Sequence, residues 1–141
     1  MAKARNSMYH FSVEWGGTRL IFNEITGLEI SINVVEYKDG SDPSGNIRKI
    51  PGSVQYSNIV FRRNIQKNDN EFYEWIAGIV KGTTDRREVV ISLLDLNNKI
   101  VRKWSIQNAF PVKLTTPILN ATNPQIIVEE LEITHDGISI S

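Results

Sequence analysis

The sequence predicts a mostly β fold with one flanking helix. Isoleucine and valine supply 30 of the 141 residues, whereas leucine and alanine supply 13. Branched side chains suit the pleated surface of a sheet, while leucine and alanine favour helices. Apolar and polar residues alternate along most of the chain, and only one segment has apolar residues at helical spacing.

The N-terminal part is expected to contain three strands. Residues 11–15 alternate between apolar and polar side chains, which is typical of a strand with one buried face. The glycines at 16–17 are a turn signal and predict a hairpin, with residues 18–25 as its returning strand. After Gly27, residues 28–35 alternate again and form the clearest strand pattern in the sequence.

A long run of turn-forming residues follows at 38–46. We expect the segment 36–52 to protrude from the fold as a loop, since loops of this length are usually either functional or disordered. A solvated hairpin tip and a binding loop are both compatible with its composition. Strand character then resumes and predicts one strand over 54–63.

Residues 69–81 are predicted to form the helix. Capping residues stand at 68–70, and acidic residues in the first turn suit the helix dipole. Gly82 is suited to end the helix. The apolar residues of this segment form one stripe: Phe72, Trp75, Ile76, Ile79 and Val80. Four of them are expected to anchor the helix on a sheet: Phe72, Trp75, Ile76 and Ile79.

The C-terminal half is expected to be β structure. Residues 88–94 predict a buried strand, residues 95–99 a hairpin turn, and residues 100–110 its return. The prolines at 111, 117 and 124 predict a connector that is not a central strand. Residues 126–135 predict the last long strand. The total is seven or eight strands and one helix, which is enough for a small barrel or sandwich.

The last strand has two different faces. Ile127, Leu131 and Ile133 alternate with a face that carries Glu130 and Glu132. These carboxylates lie within one strand, whereas a paired-carboxylate active site draws more plausibly on separate elements. A solvated or interface-facing strand is therefore the favoured interpretation. Residues 135–137 predict the turn that follows this strand.

Composition and motifs argue against several classes of function. Sixteen basic and sixteen acidic residues give no net charge, which disfavours a protein that coats nucleic acid or anionic membrane. The absence of cysteine removes disulfides, thiol catalysis and cysteine zinc sites. His10 and His135 have no partner at metal-ligand spacing, and no nucleophile elbow or phosphate loop is present. We therefore expect no enzyme, no cofactor and no metal site.

Targeting signals are also missing from the sequence. Residues 1–7 contain Lys3 and Arg5 without an apolar run behind them, so no signal peptide is visible and this segment is expected to be flexible. No stretch of about 18 apolar residues can span a bilayer. The chain is expected to be made in the cytoplasm without a membrane anchor.

Good strands without recognisable chemistry favour an assembly subunit. A small sheet must blunt, cover or pair its open edges, and pairing with copies of the same chain in a closing rotation produces a ring. Two alternatives from other classes remain at this point. One is a monomeric β-sandwich module that binds carbohydrate or protein, and the other is a small hydrolase with an unrecognised site.

Nine short segments, taken in order and spacing, resemble a known family: 11–15, 22–28, 35–40, 48–52, 58–63, 71–76, 86–94, 104–113 and 130–137. The chain is similar to the tail tube proteins of contractile-tailed phages and contractile injection systems over about residues 8–138. One departure is that the family pattern Leu-Lys-Arg-Gly is replaced by Phe-Arg-Arg-Asn at 61–64, where we expect a turn at Asn64 to survive because Asn tolerates the left-handed conformation.

The resemblance implies a fold and an architecture. The fold is a small two-sheet β-barrel or sandwich with one helix and a long protruding loop, as a single domain over 1–141. Hexameric rings of this chain would stack into a hollow inner tube inside a contractile sheath. The implied partners are the chain itself, a sheath protein, baseplate or hub and terminator proteins, and cargo protein or DNA in the lumen. The particle would be assembled in the bacterial cytoplasm and end as a virion tail or an injection particle, including a released one.

The resemblance also suggests roles for particular residues. The segment 36–52, with three acidic and three basic residues, is expected to contact the neighbouring ring. Glu130 and Glu132 are candidates for a lumen or interface face, because a lumen with the charge sign of DNA would let DNA slide. The expected inter-ring contact residues are Glu36, Tyr37, Lys38, Asp39, Asp42, Arg48, Lys49 and Pro51.

Overall fold

The computed structural model describes residues 9–16, 18–20, 22–41, 43–122 and 127–141. The predicted flexible segment 1–7, Asp42, and the residues 17, 124 and 126 lie outside the described residues. The elements within the described residues are β1 His10–Trp15, β2 Thr18–Leu20, β3 Glu24–Thr26, β4 Ile30–Lys38, β5 Ile47–Tyr56, β6 Ile59–Asn64, α1 Glu71–Val80, β7 Arg87–Leu94, β8 Ile100–Thr115, β9 Val128–Thr134 and β10 Gly137–Ile140.

Eight strands form one hydrogen-bonded path, and two form a separate pair. The path runs β2-β1-β7-β8-β9-β6-β3, with β10 pairing β8 beside it, while β4 and β5 pair only with each other. All the pairings are antiparallel. The mostly β class predicted from the branched residues is therefore confirmed, and the described strands do not close into a barrel.

The long strand β8 belongs to two sheets and makes the corner between them. Its first half pairs with β7 and β10, and its second half pairs with β9. Asn108, at a φ of 52°, marks the corner, and its Nδ2 donates to the Oδ2 of Asp136 at 3.0 Å. The backbone N–H of Asp136 donates to the carbonyl of Gln107 at 2.9 Å. Strands that pass between sheets at such bends let the two layers fold over one core.

The core lies between these two sheets and α1. Trp15 is at its centre, with ring centroids 4.9 Å from Trp75, 5.5 Å from Phe72 and 5.6 Å from Phe61. Aromatic rings at these separations and tilts contribute beyond simple area burial. The remaining fully buried apolar side chains come from both sheets: Val13, Ile59, Val89, Ile91, Ile106, Ala109, Pro111, Leu131 and Ile133.

The helix is close to its predicted position. It spans Glu71–Val80 rather than 69–81, and Gly82 follows it at a φ of 91°. Of the predicted anchors, Phe72 and Trp75 are buried, whereas Ile76 and Ile79 are only partly buried. The indole Nε1 of Trp75 donates to the carbonyl of Asp85 at 2.8 Å, so the ring is fixed at both its apolar and its polar end.

Two predicted strands are each divided in the structure. The returning strand predicted over 18–25 is β2, which pairs with β1, and β3, which pairs with β6 in the other sheet. The strand predicted over 54–63 is the end of β5 and then β6, with a break at Ser57 and Asn58. Periodicity reports which face a residue lies on but not which sheet it joins, so it does not show these breaks.

The predicted protruding loop is mostly strand. Residues 36–38 belong to β4 and residues 47–52 to β5, so only residues 39–46 lie between the two strands. The turn-forming composition made the predicted loop too long. Its flanks are strands that are fixed by pairing with each other, and a single sequence does not display such pairing. Asn64 lies in β6 opposite Val128, so the turn expected there is wrong.

The C-terminal connector begins later than predicted, because residues 111–115 are strand and only residues 116–122 of its described part are not. β8 continues through Pro111 to Thr115 and pairs with β9. Proline is tolerated there because the register shifts between Pro111 and Lys113, and a bulge needs no ladder donor from proline. A further strand, β10, follows the predicted turn at 135–137 and continues the line of β9 along β8.

Candidate assembly surface

The hairpin of β4 and β5 projects from the body and is called the ribbon here (residues 30–56). It extends the edge pair formed by β3 and β6. All nineteen strand residues of the ribbon are exposed except Gly52, which is partly buried. A two-stranded hairpin by itself is marginally stable in water. The ribbon therefore differs from the body in having no core of its own.

The joint between ribbon and body is tightly built. Gly27 has a φ of 94°, and a Cβ there would lie 2.1 Å from the carbonyl oxygen of Asn58, so only glycine fits. The Nδ2 of Asn58 donates to Glu132, and the hydroxyl of Ser57 donates to Glu29, both at 2.9 Å. These contacts fix the direction in which the ribbon leaves the body.

A histidine braces the same joint from the C-terminal corner. The Nε2–H of His135 donates to the carbonyl of Ser57 at 2.9 Å, and the imidazole lies 5.6 Å from the ring of Tyr56. The ring of Tyr56 also lies close to Gly137. The lack of a partner at metal-ligand spacing favoured a surface or hydrogen-bonded role for His135, and the structure identifies the hydrogen bond that it makes.

The ribbon has one predominantly apolar face. Pairing of Ile30 with Tyr56 and Ile32 with Val54 sets that face, and Val34 continues it opposite Pro51. The register shifts between Ile32 and Val34. Beside this shift lies Gly52, where a Cβ would come within 2.9 Å of the carbonyl oxygen of Asn33. The opposite face is more polar near the body, where the Nδ2 of Asn33 donates to the hydroxyl of Ser53 at 3.0 Å.

Charges occur only at the outer end of the ribbon strands. Glu36 lies opposite Lys49, Tyr37 opposite Arg48, and Lys38 opposite Ile47. The two strands thus contain one carboxylate and three cations. The structure brings seven of the eight predicted inter-ring residues onto this outer part, and the eighth, Asp42, lies outside the described residues.

The turn at the tip has local hydrogen bonds. The carboxylate of Asp39 accepts from the hydroxyl of Ser41 at 2.7 Å and from its backbone N–H at 2.9 Å. These bonds, the hydroxyl bond first, hold the pKa of Asp39 below its usual value. Gly45 follows at a φ of 67°. The tip is consequently a shaped turn and not merely a run of polar residues.

Glu130 and Glu132 lie on the outward face of the second sheet. Their neighbours Leu131 and Ile133 are buried, as the alternation predicted. Glu130 forms an ion pair with Arg62 at 3.2 Å, and Glu132 accepts the Asn58 hydrogen bond at the joint. The carboxylates therefore have partners within the chain and also form part of an exposed strand face.

Arg63 follows the partly exposed Arg62 in β6, but its own side chain is only 3% exposed. Its guanidinium binds both oxygens of Asp69, at 3.0 and 3.1 Å, and Glu129 at 2.9 Å. It also lies 4.1 Å from the ring centre of Phe72. A period of two places adjacent residues on opposite faces, so strand alternation was the signal that one arginine of the pair faces inward.

The sheets keep open edges. Among the residues that the structure describes, β2 and β3 end the hydrogen-bonded path, and β10 pairs only with β8. Unpaired edges and an exposed ribbon define a subunit built for a larger assembly, because a soluble monomer normally covers or blunts them. Within the described residues, no cluster of three or more histidine or acidic side chains is placed to hold a metal. Within the same residues, no helix has the length and apolarity needed to cross a membrane.

The particular family follows from comparison with known proteins. The model of the T4-like virus tail tube protein gp19 family matches residues 7–139, so the chain belongs to the tail tube protein family. This is a family of structural tube proteins, and the resemblance noted in the sequence is confirmed. No protein with a curated description matches the chain.

Solved structures agree with this assignment. One similar chain belongs to the cryo-EM structure of the PVC sheath/tube terminator of an extracellular contractile injection system in the extended state. It is 32% identical to this chain, with a TM-score of 0.85, and the match covers 94% of this chain and 93% of that chain. This chain is also 30% identical to a chain of the PVC sheath-tube complex, covering 100% and 98%, with a TM-score of 0.85. Hcp1 from Flavobacterium johnsoniae, 16% identical over 93% and 94% with a TM-score of 0.58, shares the fold. The chain is a tail tube protein of the contractile injection system type.

Proposed function

We propose that this chain forms hexameric rings that stack into the hollow inner tube of a contractile particle. The observation that carries the proposal is the ribbon, whose apolar face beyond Tyr56 is exposed, with Ile32, Val34 and Val54 more than half exposed within the described chain. Contiguous exposed apolar surface of this kind marks an interaction site. Family membership supplies the kind of partner, which is another copy of the same chain.

Ring formation is supported by the open edges. β2 and β10 lie at opposite ends of the first sheet, β2-β1-β7-β8-β10. A head-to-tail contact repeated around a closing rotation covers such edges without leaving a free one. The joining of subunits within a ring thus makes use of surfaces that a monomer exposes.

Stacking is assigned to the outer ribbon. The predicted contact residues Glu36, Tyr37 and Lys38 lie on β4, and Arg48, Lys49 and Pro51 lie on β5, with Asp39 in the turn. Ion pairs at an exposed rim contribute about 0.2–1 kcal/mol each. Repetition around a ring lets such weak pairs determine the register between rings.

The lumen is assigned to the outward face of the second sheet, which carries Glu130 and Glu132. Glu24 lies opposite Arg62 on the same sheet, next to the Arg62–Glu130 ion pair. A face with mixed and partly paired charge is suited to passage of cargo without tight binding. Cargo protein or DNA in this lumen is part of the proposal.

A contractile sheath, a baseplate or hub and a tube terminator are the further proposed partners. The similar chains come from structures described as a sheath-tube complex and a sheath/tube terminator. We place assembly in the bacterial cytoplasm and the finished tube in a virion tail or an extracellular particle.

Electron microscopy of purified protein tests this function. Wild type is expected to form rings or tubes, and deletion of residues 40–46 is expected to leave rings but abolish tubes of normal length. The unfolding transition is the control, because the tip lies outside the core and its removal should leave the transition unchanged. Normal tubes from the deletion variant would contradict the stacking role. A solitary 16.0 kDa monomer at high concentration, absent from assembled particles, would instead favour a monomeric binding module.

A further inference from the structure

The imidazole of His135 has one nitrogen that hydrogen-bonds and one that does not. Its Nε2 lies 2.9 Å from the carbonyl oxygen of Ser57. Because a carbonyl oxygen only accepts, Nε2 carries the proton and Nδ1 is a bare acceptor in the neutral ring. The Nδ1 atom is closed to solvent and has no hydrogen-bond partner among the residues that the structure describes. The arrangement therefore suits the neutral imidazole, which can take up a proton only at Nδ1.

Protonation of His135 would disturb the joint between ribbon and body. A proton on Nδ1 creates a donor that has no acceptor in this position, and it adds a positive charge to a ring that lies 5.6 Å from the ring of Tyr56. An unmet buried donor costs about as much free energy as a hydrogen bond, and burial of charge adds to that cost. Rotation of the imidazole relieves the cost, but the same rotation breaks the hydrogen bond to Ser57 and the contact with Tyr56.

The groups around the joint give the protonated ring no free partner. The titratable groups of the surrounding elements are three carboxylates and one phenol: Glu29, Glu132, Asp136 and Tyr56. The three carboxylates already accept hydrogen bonds, from Ser57 and Asn58 at 2.9 Å and from Asn108 at 3.0 Å. A cation, Lys113, also lies opposite Glu132 in the sheet. An imidazolium drawn to any of these carboxylates would compete with a contact that positions the joint or the corner.

We propose that His135 is a proton-sensitive lock on the direction of the ribbon. With the imidazole neutral, the bond to Ser57 and the contact with Tyr56 hold the ribbon in one direction. With the imidazole protonated, these two contacts are lost, and the ribbon must be ordered again each time it meets another copy. That ordering cost weakens assembly, because preorganisation of a binding element is what keeps the cost low. The inference rests on the proposed function and adds a control over it.

Tube formation at two pH values tests the proposal. Histidine ordinarily changes charge between about pH 5 and pH 8, whereas carboxyl groups titrate at about pH 4. Wild type is expected to need about tenfold more protein for tube formation at about pH 5.5 than at about pH 7.5, because the unmet donor opens the lock. His135→Gln keeps an amide donor for the carbonyl of Ser57 and does not titrate in this range. This variant is therefore expected to lose the pH dependence.

The second histidine of the chain provides the matched control. His10 is exposed, and its Nε2 lies 2.8 Å from the Oδ1 of Asn98, away from the joint. His10→Gln should therefore retain the wild-type pH dependence of tube formation. Nitrogen-15 NMR of the unassembled protein reports the lock directly. We expect Nδ1 of His135 to be unprotonated and Nε2 to be protonated at neutral pH, and the ring signals of Tyr56 to shift as His135 titrates.

The outcomes separate the lock from the proposed function. Wild-type tube formation that is equal at both pH values, or a His135→Gln variant with the wild-type pH dependence, would overturn the lock. If His135→Gln does not fold, the NMR measurement on the wild type decides. A protonated Nδ1 at neutral pH, or Tyr56 signals that ignore the titration of His135, contradict the lock. Absence of wild-type rings and tubes at the higher pH counts against the function itself, and the NMR measurement still tests the lock.

Discussion

The body and the ribbon follow opposite rules of construction. In the body, Trp15, Phe61 and Phe72 are fully buried and interlocked, and the buried Arg63 is surrounded by carboxylates and an aromatic ring. In the ribbon, Ile32 and Val54 are paired on one face and are 54% and 51% exposed. The body can thus be stabilised by its own contacts, whereas the exposed face of the ribbon can be stabilised only by contacts with another molecule.

This difference has a consequence for how substitutions should act. Changes in the body should lower the free energy of unfolding and impair assembly only through loss of folded protein. Changes on the ribbon should leave unfolding almost unchanged and act on assembly directly. Measuring both quantities for each variant therefore separates the two regions.

The largest effect is expected from Trp75→Ala. The indole is buried against Trp15 and donates to the carbonyl of Asp85, so its removal leaves a cavity and an unmet acceptor. Loss of an aromatic core residue costs about 3–5 kcal/mol of unfolding free energy. Urea denaturation followed by circular dichroism measures it. A loss of tube formation with unchanged unfolding would place Trp75 at an interface instead of the core.

A smaller but still large effect is expected from Arg63→Ala. Removal of the guanidinium leaves Asp69 and Glu129 facing each other without their cation, although both remain partly solvated. We expect a loss of about 2–3 kcal/mol, below the range for a fully buried pair. The exposed neighbour gives the control, because Arg62→Ala removes only a surface ion pair and should cost about 0–1 kcal/mol.

Equal losses for the two arginine variants would contradict the assignment of Arg63 to the body and Arg62 to the surface. The comparison is sharp because the two residues are adjacent in β6 and carry the same charge. Only the face of the strand differs between them.

The sequence specified the body better than the ribbon for a physical reason. Burial leaves periodic patterns, so the stripe containing Phe72 and Trp75 and the alternation around Leu131 predicted their faces correctly. Pairing between distant segments leaves no such pattern. Three features depend on pairing of this kind and were missed. They are the change of sheet along β8, the continuation of β8 through Pro111, and the division of residues 18–25 between two strands.

The ribbon shows the same limit at a functional surface. Turn-forming residues indicated that something protrudes near 36–52, but the apolar face from Ile30 to Tyr56 was read only as an ordinary strand. The sequence cannot distinguish an apolar face that meets the chain's own core from one that meets another copy. The exact placement of Gly27 and Gly52 likewise becomes meaningful only when the neighbouring carbonyl oxygens are known.

The smallest effect on folding is expected from Ile32→Thr with Val54→Thr, which is the most direct test of the comparison. Threonine keeps a branched side chain suited to strands, and both positions lie outside the core, so unfolding should change by less than about 0.5 kcal/mol. Tube formation, followed by sedimentation, should nevertheless be lost or need much more protein, because the apolar contact is removed. Gln55→Thr on the opposite face is the control and should form normal tubes. If the paired threonines destabilise folding as much as a core substitution, the ribbon belongs energetically to the body; if tubes form normally, its apolar face does not mediate assembly.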